Sequence, residues 1–408
     1  MQDVVNYLDF KSVNSQGADM GKSKSKESLG KNILEDCAVS AIEIIGSIAT
    51  GIPLQIPTAT LKFLGKKFHS ALNYNLSPDN WDWEEIYKRK LIECISIPQI
   101  CAKDVIIPHT ILYENIDNAL SMKDIILRKN RDIYQIDSDV AFFWGDNFKH
   151  VWKRISKKRL FENRPNIRLT GINHTKKSLY LDTQVAYYKD FVQTNLSLDI
   201  KINDKTLRQM VNHSGNIEEI NRSRLCNLIG IEVIMLTSKG ELILQERSKM
   251  VAFRNQEVCN AASGTMSRFD ISADKVSLDK IPTLRELSEE IGVEIEDIKE
   301  GTFRFLGITR DLMRGGNPEL IFYAETLLSW NELSEKWKNA PDRWESSNMY
   351  RFNLGELSTK ENLELSEYSD LIYKITKLLK HKEISLSVDL QASIGMWLRM
   401  KRRSIRSR

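Results

Sequence analysis

Apolar positions mark the second half of the chain most clearly. Residues 229–236, IGIEVIML, form an unbroken apolar run of strand length. Thr237-Ser238-Lys239-Gly240 follows as a turn, and ELILQER at 241–247 resumes the strand pattern. This pattern predicts a β-hairpin with Gly240 available for a positive φ. VCNAASGTM at 258–266 predicts a third strand that ends at a glycine. FRFLGITR at 303–310 and ELIFYAETL at 319–327 predict two more. Upstream, NIRLTGI and SLYLDTQVAYY have the same strand character, with turn residues between them. A helical stretch interrupts the series at about 285. Strands arranged around one well-marked helix predict an α/β domain with a mixed sheet.

The first half reads differently. Residues 1–30 end in GKSKSKESLG and show no apolar period, which predicts a flexible arm. Residues 31–69 read as two apolar helical stretches either side of a GIPLQIP break, the second amphipathic with Lys62, Lys66 and Lys67 on its polar side. Within them, 44–61 carries no charge over 18 positions, which approaches a membrane span, but Pro53 and Pro57 break a helix there. The expectation for 31–69 is a buried, partner-docking or membrane-associated segment. Ser77 or Asp79 is a plausible cap for the helix that follows. The predicted organisation is an arm at 1–30, a mainly helical region at 31–160 and a β-rich extension at 161–225. The main domain then covers 226–380, with a C-terminal helix and basic tail at 381–408.

Composition narrows the class. Lys+Arg 59 against Asp+Glu 55 gives a net charge of +4, too near balance to imply a nucleic-acid binder by itself. The charge is dense only at the end, WLRMKRRSIRSR, so 399–408 could meet nucleic acid or an anionic membrane. Five scattered cysteines argue against a disulfide framework and fit a cytoplasmic protein. No CxxC or HExxH spacing occurs, so no structural zinc site is expected.

The chemistry concentrates at 285–293, Arg-Glu-Leu-Ser-Glu-Glu-Ile-Gly-Val. Glu286, Glu289 and Glu290 fall at i, i+3 and i+4 and share one helix face. Carboxylates so close repel each other unless a cation sits among them. Leu284, Leu287 and Ile291 occupy the opposite face and predict the core contact, with Gly292 as C-terminal cap. Hard oxygen donors suit Mg²⁺ or Mn²⁺ rather than zinc. Such an ion could neutralise phosphate oxygens and lower the pKa of a bound water. A solvated acidic face is the plainer alternative.

The string Arg285-Glu286-Leu287-x-Glu289-Glu290-x-Gly292-Val293 resembles the second half of the Nudix hydrolase signature, Gly-x5-Glu-x7-Arg-Glu-U-x-Glu-Glu-x-Gly-U, with U aliphatic. Gly264 stands at the first position, but the interval to Arg285 is seven residues longer than the pattern, and Asp270 stands where a Glu is expected. An insertion within ISADKVSLDKIP accounts for the length. The resemblance covers about 165–380 and implies a Nudix-type α/β/α sandwich. The implied activity is metal-dependent hydrolysis of the diphosphate linkage of a nucleoside diphosphate derivative. By position it makes Glu286, Glu289 and Glu290 metal ligands, with Arg285 orienting a carboxylate and Gly264 shaping the loop that approaches the metal or phosphate. Glu345, in RWESSNMYRF, is the candidate general base. Arg247 and Arg254, which flank the loop after the hairpin, are candidates to meet phosphate. The implied partner is a nucleotide substrate; a homodimer is a possible further association that the sequence does not fix. The alternative reading is a catalytically weak or inactive Nudix-fold sensor that controls the N-terminal region.

Overall fold

The computed structural model describes residues 83–99, 103–115, 119–156, 163–212, 215–249, 251, 256–280, 285–381, 385–403 and 405. The expected arm at 1–30, the apolar segment at 31–69 with its membrane association, the helix start at Ser77 or Asp79, and Arg254 lie outside the described residues. Among the described residues no helix is long and apolar enough to cross a membrane.

Part of the region expected to be mainly helical is strand. β1 (Cys94–Ile97), β2 (Val105–Glu114) and β3 (Ile125–Ile133) occupy it, followed by helices at Ser138–Trp144 and Asn147–Ser156. The runs VIIPHTILY and IIL are rich in β-branched residues, which pack well on a pleated surface; here local propensity outweighs the surrounding charged pattern. β4 (Pro165–His174) and β5 (Leu179–Tyr187) follow, then a small hairpin of β6 (Lys201–Ile202) and β7 (Lys205–Thr206). The expected hairpin is present as β8 (Gly230–Leu236) and β9 (Glu241–Arg247), with Gly240 at φ +70. A Cβ at Gly240 would stand 2.4 Å from the Gly355 carbonyl oxygen, so this turn has no room for a side chain.

The expected third strand is split in two. β10 (Val258–Cys259) pairs with β9, and β11 (Ala262–Thr265) pairs with β8. β8 and β9 pair with each other only at Leu236↔Leu242, then diverge, and residues 258–265 fill the fork. β12 (Lys275–Ser277), β13 (Arg304–Asp311), β14 (Asn317–Glu325) and β15 (Ser346–Asn353) complete the set.

Nine strands form the main sheet in the order β1-β2-β13-β14-β8-β9-β10, with β11 added to β8 and β15 to β9. The sheet is mixed: β14 and β8 run parallel, and its other pairs are antiparallel. β8 and β14 are buried along their whole length because both sheet faces are covered. On one face Ile231, Val233, Leu320 and Phe322 pack with Leu287 and Ile291 of the helix Arg285–Ile291 and with Trp330 and Trp337 of the helix Trp330–Lys338. On the other face Ile234, Leu236, Ile321 and Tyr323 pack with the helix Leu365–Leu379 and the C-terminal helix Val388–Arg403.

A second sheet, β12-β3-β5-β4, shares the first of these cores. Its strand β12 comes from the segment just ahead of the carboxylate helix, the segment expected to be an insertion. β4 joins the two sheets: Ile167 N donates to Met266 O, Leu169 N to Asn227 O, and Ile229 N to Ile167 O.

The basic end of the chain is partly engaged within the fold. Arg399 and Arg403 pair with Glu114 at 2.8 and 3.0 Å, and Lys401 is 4% exposed with Nζ donating to the Lys360 carbonyl at 2.8 Å. Burial lowers the Lys401 pKa from 10.5 to about 8. The unfolded chain therefore binds more protons between these values, and Lys401 withdraws stability as pH falls toward 8. Lys401→Met should raise stability at pH 7 by about 1–3 kcal/mol, with the gain fading as pH approaches the unfolded value. Urea unfolding across that range checks this. Val276→Asp, on the buried side of β12, should destabilise by at least about 3 kcal/mol. Lys275→Ala, on its exposed side, should change stability by less than about 0.5 kcal/mol. The two β12 variants can be compared by thermal melts.

Candidate active site

The helix Arg285–Ile291 is anchored by Leu287 and Ile291, both 0% exposed. It ends as the sequence predicts: Gly292 takes φ +70, its N–H donates to Ser288 O, and Val293 N–H reaches back to Leu287 O. The anchored face turns the carboxylates toward the fork between β8 and β9.

Glu290 reaches deepest. Its Oε1 accepts the Ser263 backbone N–H at 3.0 Å and its Oε2 accepts Gln245 Nε2 at 2.9 Å. Gln245 also donates to Ala261 O at 2.7 Å, and its Oε1 accepts from Trp337 Nε1 at 3.3 Å. Glu286 lies over Gly264: a Cβ there would stand 2.2 Å from the Glu286 carboxyl carbon. Gly264 is thus adjacent to the carboxylates, as expected, and its missing side chain leaves their space.

Arg285 sits among the acids. Nη1 donates to Glu289 and Nη2 to Glu286, both at 2.7 Å, and Nε lies 3.3 Å from Asp270. Asp270 also accepts the Ser267 N–H at 2.7 Å, so it acts through Arg285 and caps its own turn. Its carboxylate lies beside Arg285, while the residues that follow leave the site as β12 and join the second sheet.

Glu345 is brought to the same place. The Asp342 N–H donates to the Glu289 carbonyl at 2.8 Å, and the Ser248 N–H to the Glu345 carbonyl at 2.7 Å. These bonds hold the turn Arg343–Glu345 between the carboxylate helix and the end of β9. Arg247 joins from that strand end, with Nη1 donating to Ser263 Oγ at 3.1 Å; its buried Nε has no hydrogen-bond partner among the described residues. The structure therefore brings together Arg285, Glu286, Glu289, Glu290, Glu345, Gly264 and Arg247.

The electrostatics follow from this burial. Desolvation raises Glu286 to about 7, against the opposing pull of Arg285, and Glu289, Asp270 and Glu345 push the same way as burial. Desolvation also carries Glu290 well above the carboxylate range, with Glu286 and Glu345 adding to it. Glu345 is raised by burial and by Asp342 and Glu289, with Arg247 opposing. Burial works against the Arg247 charge, but Cys259, Glu290, Glu345 and Glu232 outweigh it and raise its pKa. The carboxylate donors are all oxygens, and the raised pKa values show that burial disfavours their charge without a further cation. That donor set fits a hard divalent ion.

No family model matches this chain, and no curated protein matches it. The solved structure of DR0079 from Deinococcus radiodurans is similar to a part of it, at 14% identity and a TM-score of 0.20. The match covers 25% of this chain and 57% of that one, so this chain spans less than two thirds of that structure.

Gln245 carried no motif signal; its only mark is a polar residue within the apolar run LILQER. Gln245→Leu should cost about 2–4 kcal/mol, because it strips partners from Glu290, Ala261 O and Trp337 at once. Chemical denaturation reads this directly. A loss under 0.5 kcal/mol would show that the three bonds do not hold the site together.

Proposed function

We propose that this protein is a Nudix-type hydrolase that uses Mg²⁺ or Mn²⁺ to cleave the diphosphate linkage of a nucleoside diphosphate derivative. The observation that carries the proposal is the placement of Glu286 over Gly264 and of Glu290 on the neighbouring Ser263 N–H, with Arg285 bridging Glu286 and Glu289. In this reading the three glutamates hold the metal, which when bound would neutralise phosphate oxygens and lower the pKa of a water.

The protein's own groups divide the remaining work. Arg285 fixes the Glu286 and Glu289 carboxylates in place, so that they need not reorganise as the metal binds. Glu345 takes the proton of the attacking water; its raised pKa makes it a stronger base than an ordinary surface glutamate. The water oxygen forms a bond to one phosphorus of the diphosphate. The bridging P–O bond breaks, and the leaving phosphate departs with its electron pair. Arg247, whose buried Nε has no hydrogen-bond partner among the described residues, can donate to a phosphate oxygen.

The sensor reading draws on the longer loop and on Asp270 in place of a glutamate. The two readings separate on turnover. We expect phosphate-containing product from a panel of nucleoside diphosphate derivatives, nucleoside triphosphates and dinucleoside polyphosphates with Mg²⁺ or Mn²⁺. Glu289→Gln should lower turnover at least about 100-fold with the thermal melt preserved, and Glu345→Gln should lower kcat more than it raises KM. Nucleotide binding with no turnover on any substrate would replace the hydrolase with the sensor. Turnover unchanged in Glu289→Gln would reject the site.

A further inference from the structure

A second group of buried polar side chains lies on the opposite face of the main sheet. His109 and Asp311 are Cα partners across β2 and β13, so their side chains leave the sheet on the same side. Asp389, in the first turn of the C-terminal helix, comes down onto them. His109 Nε2 is 3.2 Å from Asp389 Oδ1 and 3.8 Å from Asp311 Oδ1. The donor atoms of the three residues all lie within 4.8 Å of one another, and the three are 0%, 0% and 7% exposed.

We infer that His109, Asp311 and Asp389 bind a divalent transition-metal ion of the Zn²⁺ class. Three observations support this. The first is spacing. Ligand atoms about 2.0–2.2 Å from a tetrahedral ion stand about 3.3–3.6 Å apart, close to both separations from the imidazole. The second is the imidazole itself. Nδ1 is 3.1 Å from Thr309 Oγ1, while Nε2, fully buried and aimed between two carboxylates, makes no hydrogen bond among the described residues. With Nδ1–H donating to Thr309, the Nε2 lone pair faces two anions, an arrangement that repels unless a cation lies between them. That outward hydrogen bond is also the usual support of a metal-bound histidine.

The third is charge. Glu232 and Glu319 reach the same polar layer; burial raises the pKa of both, Glu319 to about 8, so the anionic charge here rests on Asp311 and Asp389. Arg314 pairs with Asp311, Glu319 and Asp389 at 2.6, 2.8 and 2.9 Å. Four carboxyl groups gather around that guanidinium; Asp311 Oδ2 and Asp389 Oδ1 pair with it, while Asp311 Oδ1 accepts the Met313 N–H at 2.8 Å and lies 3.8 Å from His109. A mixed nitrogen and oxygen set selects a borderline ion over Mg²⁺ or Ca²⁺. The site is independent of the helix carboxylates, which face the other core, and of the proposed diphosphate hydrolysis. Its role is to pin β2 and β13 to the C-terminal helix.

The test uses the full chain, stripped with chelator and titrated with Zn²⁺ and then with Co²⁺. One Zn²⁺ per chain should bind and raise the melting temperature, and it should persist in Glu289→Gln. His109→Ala and Asp311→Asn should each weaken Zn²⁺ binding about 100-fold and abolish the thermal shift. Should those variants fail to fold, ¹⁵N NMR of the wild-type histidines decides: Zn²⁺ should move the His109 Nε2 resonance to a metal-bound value. A Zn²⁺ stoichiometry of zero, binding indifferent to His109→Ala, or a His109 resonance that stays imidazolium-like with Zn²⁺ present would each overturn the inference.

Discussion

Glu290 sits beneath a helix with almost no water around it, and both of its oxygens are spoken for by the strands below. Burial pushes its carboxyl pKa well above the ordinary range, and a buried polar group in that position is tolerable only if its partners stay fixed. The fixing begins where β8 and β9 part. Residues 258–265 enter the gap, which places the Ser263 N–H and the Ala261 carbonyl where Glu290 and Gln245 meet them. Trp337 closes the back of the same network and is stacked in turn by Arg343, 3.4 Å from its ring centre. The turn that carries Glu345 is thus set by the same contacts that hold Glu290. Helix, fork and turn form one mechanical unit.

How much of this could be read in the sequence depended on distance along the chain. The carboxylate face was legible because i, i+3 and i+4 spacing is local, and its cap was legible because Gly292 needs a positive φ. The β8–β9 hairpin was legible because the turn residues lie beside the strands they join. β2 and β3 were missed because their β-branched runs sit among charged helical stretches, and their partners β13 and β5 lie far along the chain. His109, Asp311 and Asp389 could not have been grouped at all: strand pairing and helix docking bring them together, and none carries a local motif. Glu345 was found by its segment alone, and only the bonds from Asp342 and Ser248 explain why it reaches the helix.

The main sheet separates two kinds of polar interior. On one side Glu286 and Glu290 are buried, and Glu289 is half-buried against Arg285. On the other side the group around Arg314 is closed beneath the C-terminal helix. Cys259 and Asn260 stand at the crossing between them: Asn260 donates to Glu232 and to Ser393 of that helix, while the Cys259 thiol is pushed far up by burial. A change at this crossing is felt by both faces, because a close-packed interior transmits small shifts.

The segment that carries β12, ahead of the carboxylate helix, has a consequence beyond the site. A sheet edge normally presents unpaired N–H and C=O groups that can recruit a strand from another molecule. In the smaller sheet one edge, β4, is consumed by bonds to Met266, Asn227 and Ile229. The other would be β3, with Ile125, Ile126 and Leu127 along it, had β12 not covered it. The new edge is three residues long and begins with an exposed lysine, too short and too charged to template another chain. The segment between Asp270 and the carboxylate helix thus doubles as protection against edge-to-edge aggregation, and shortening it would give up that protection.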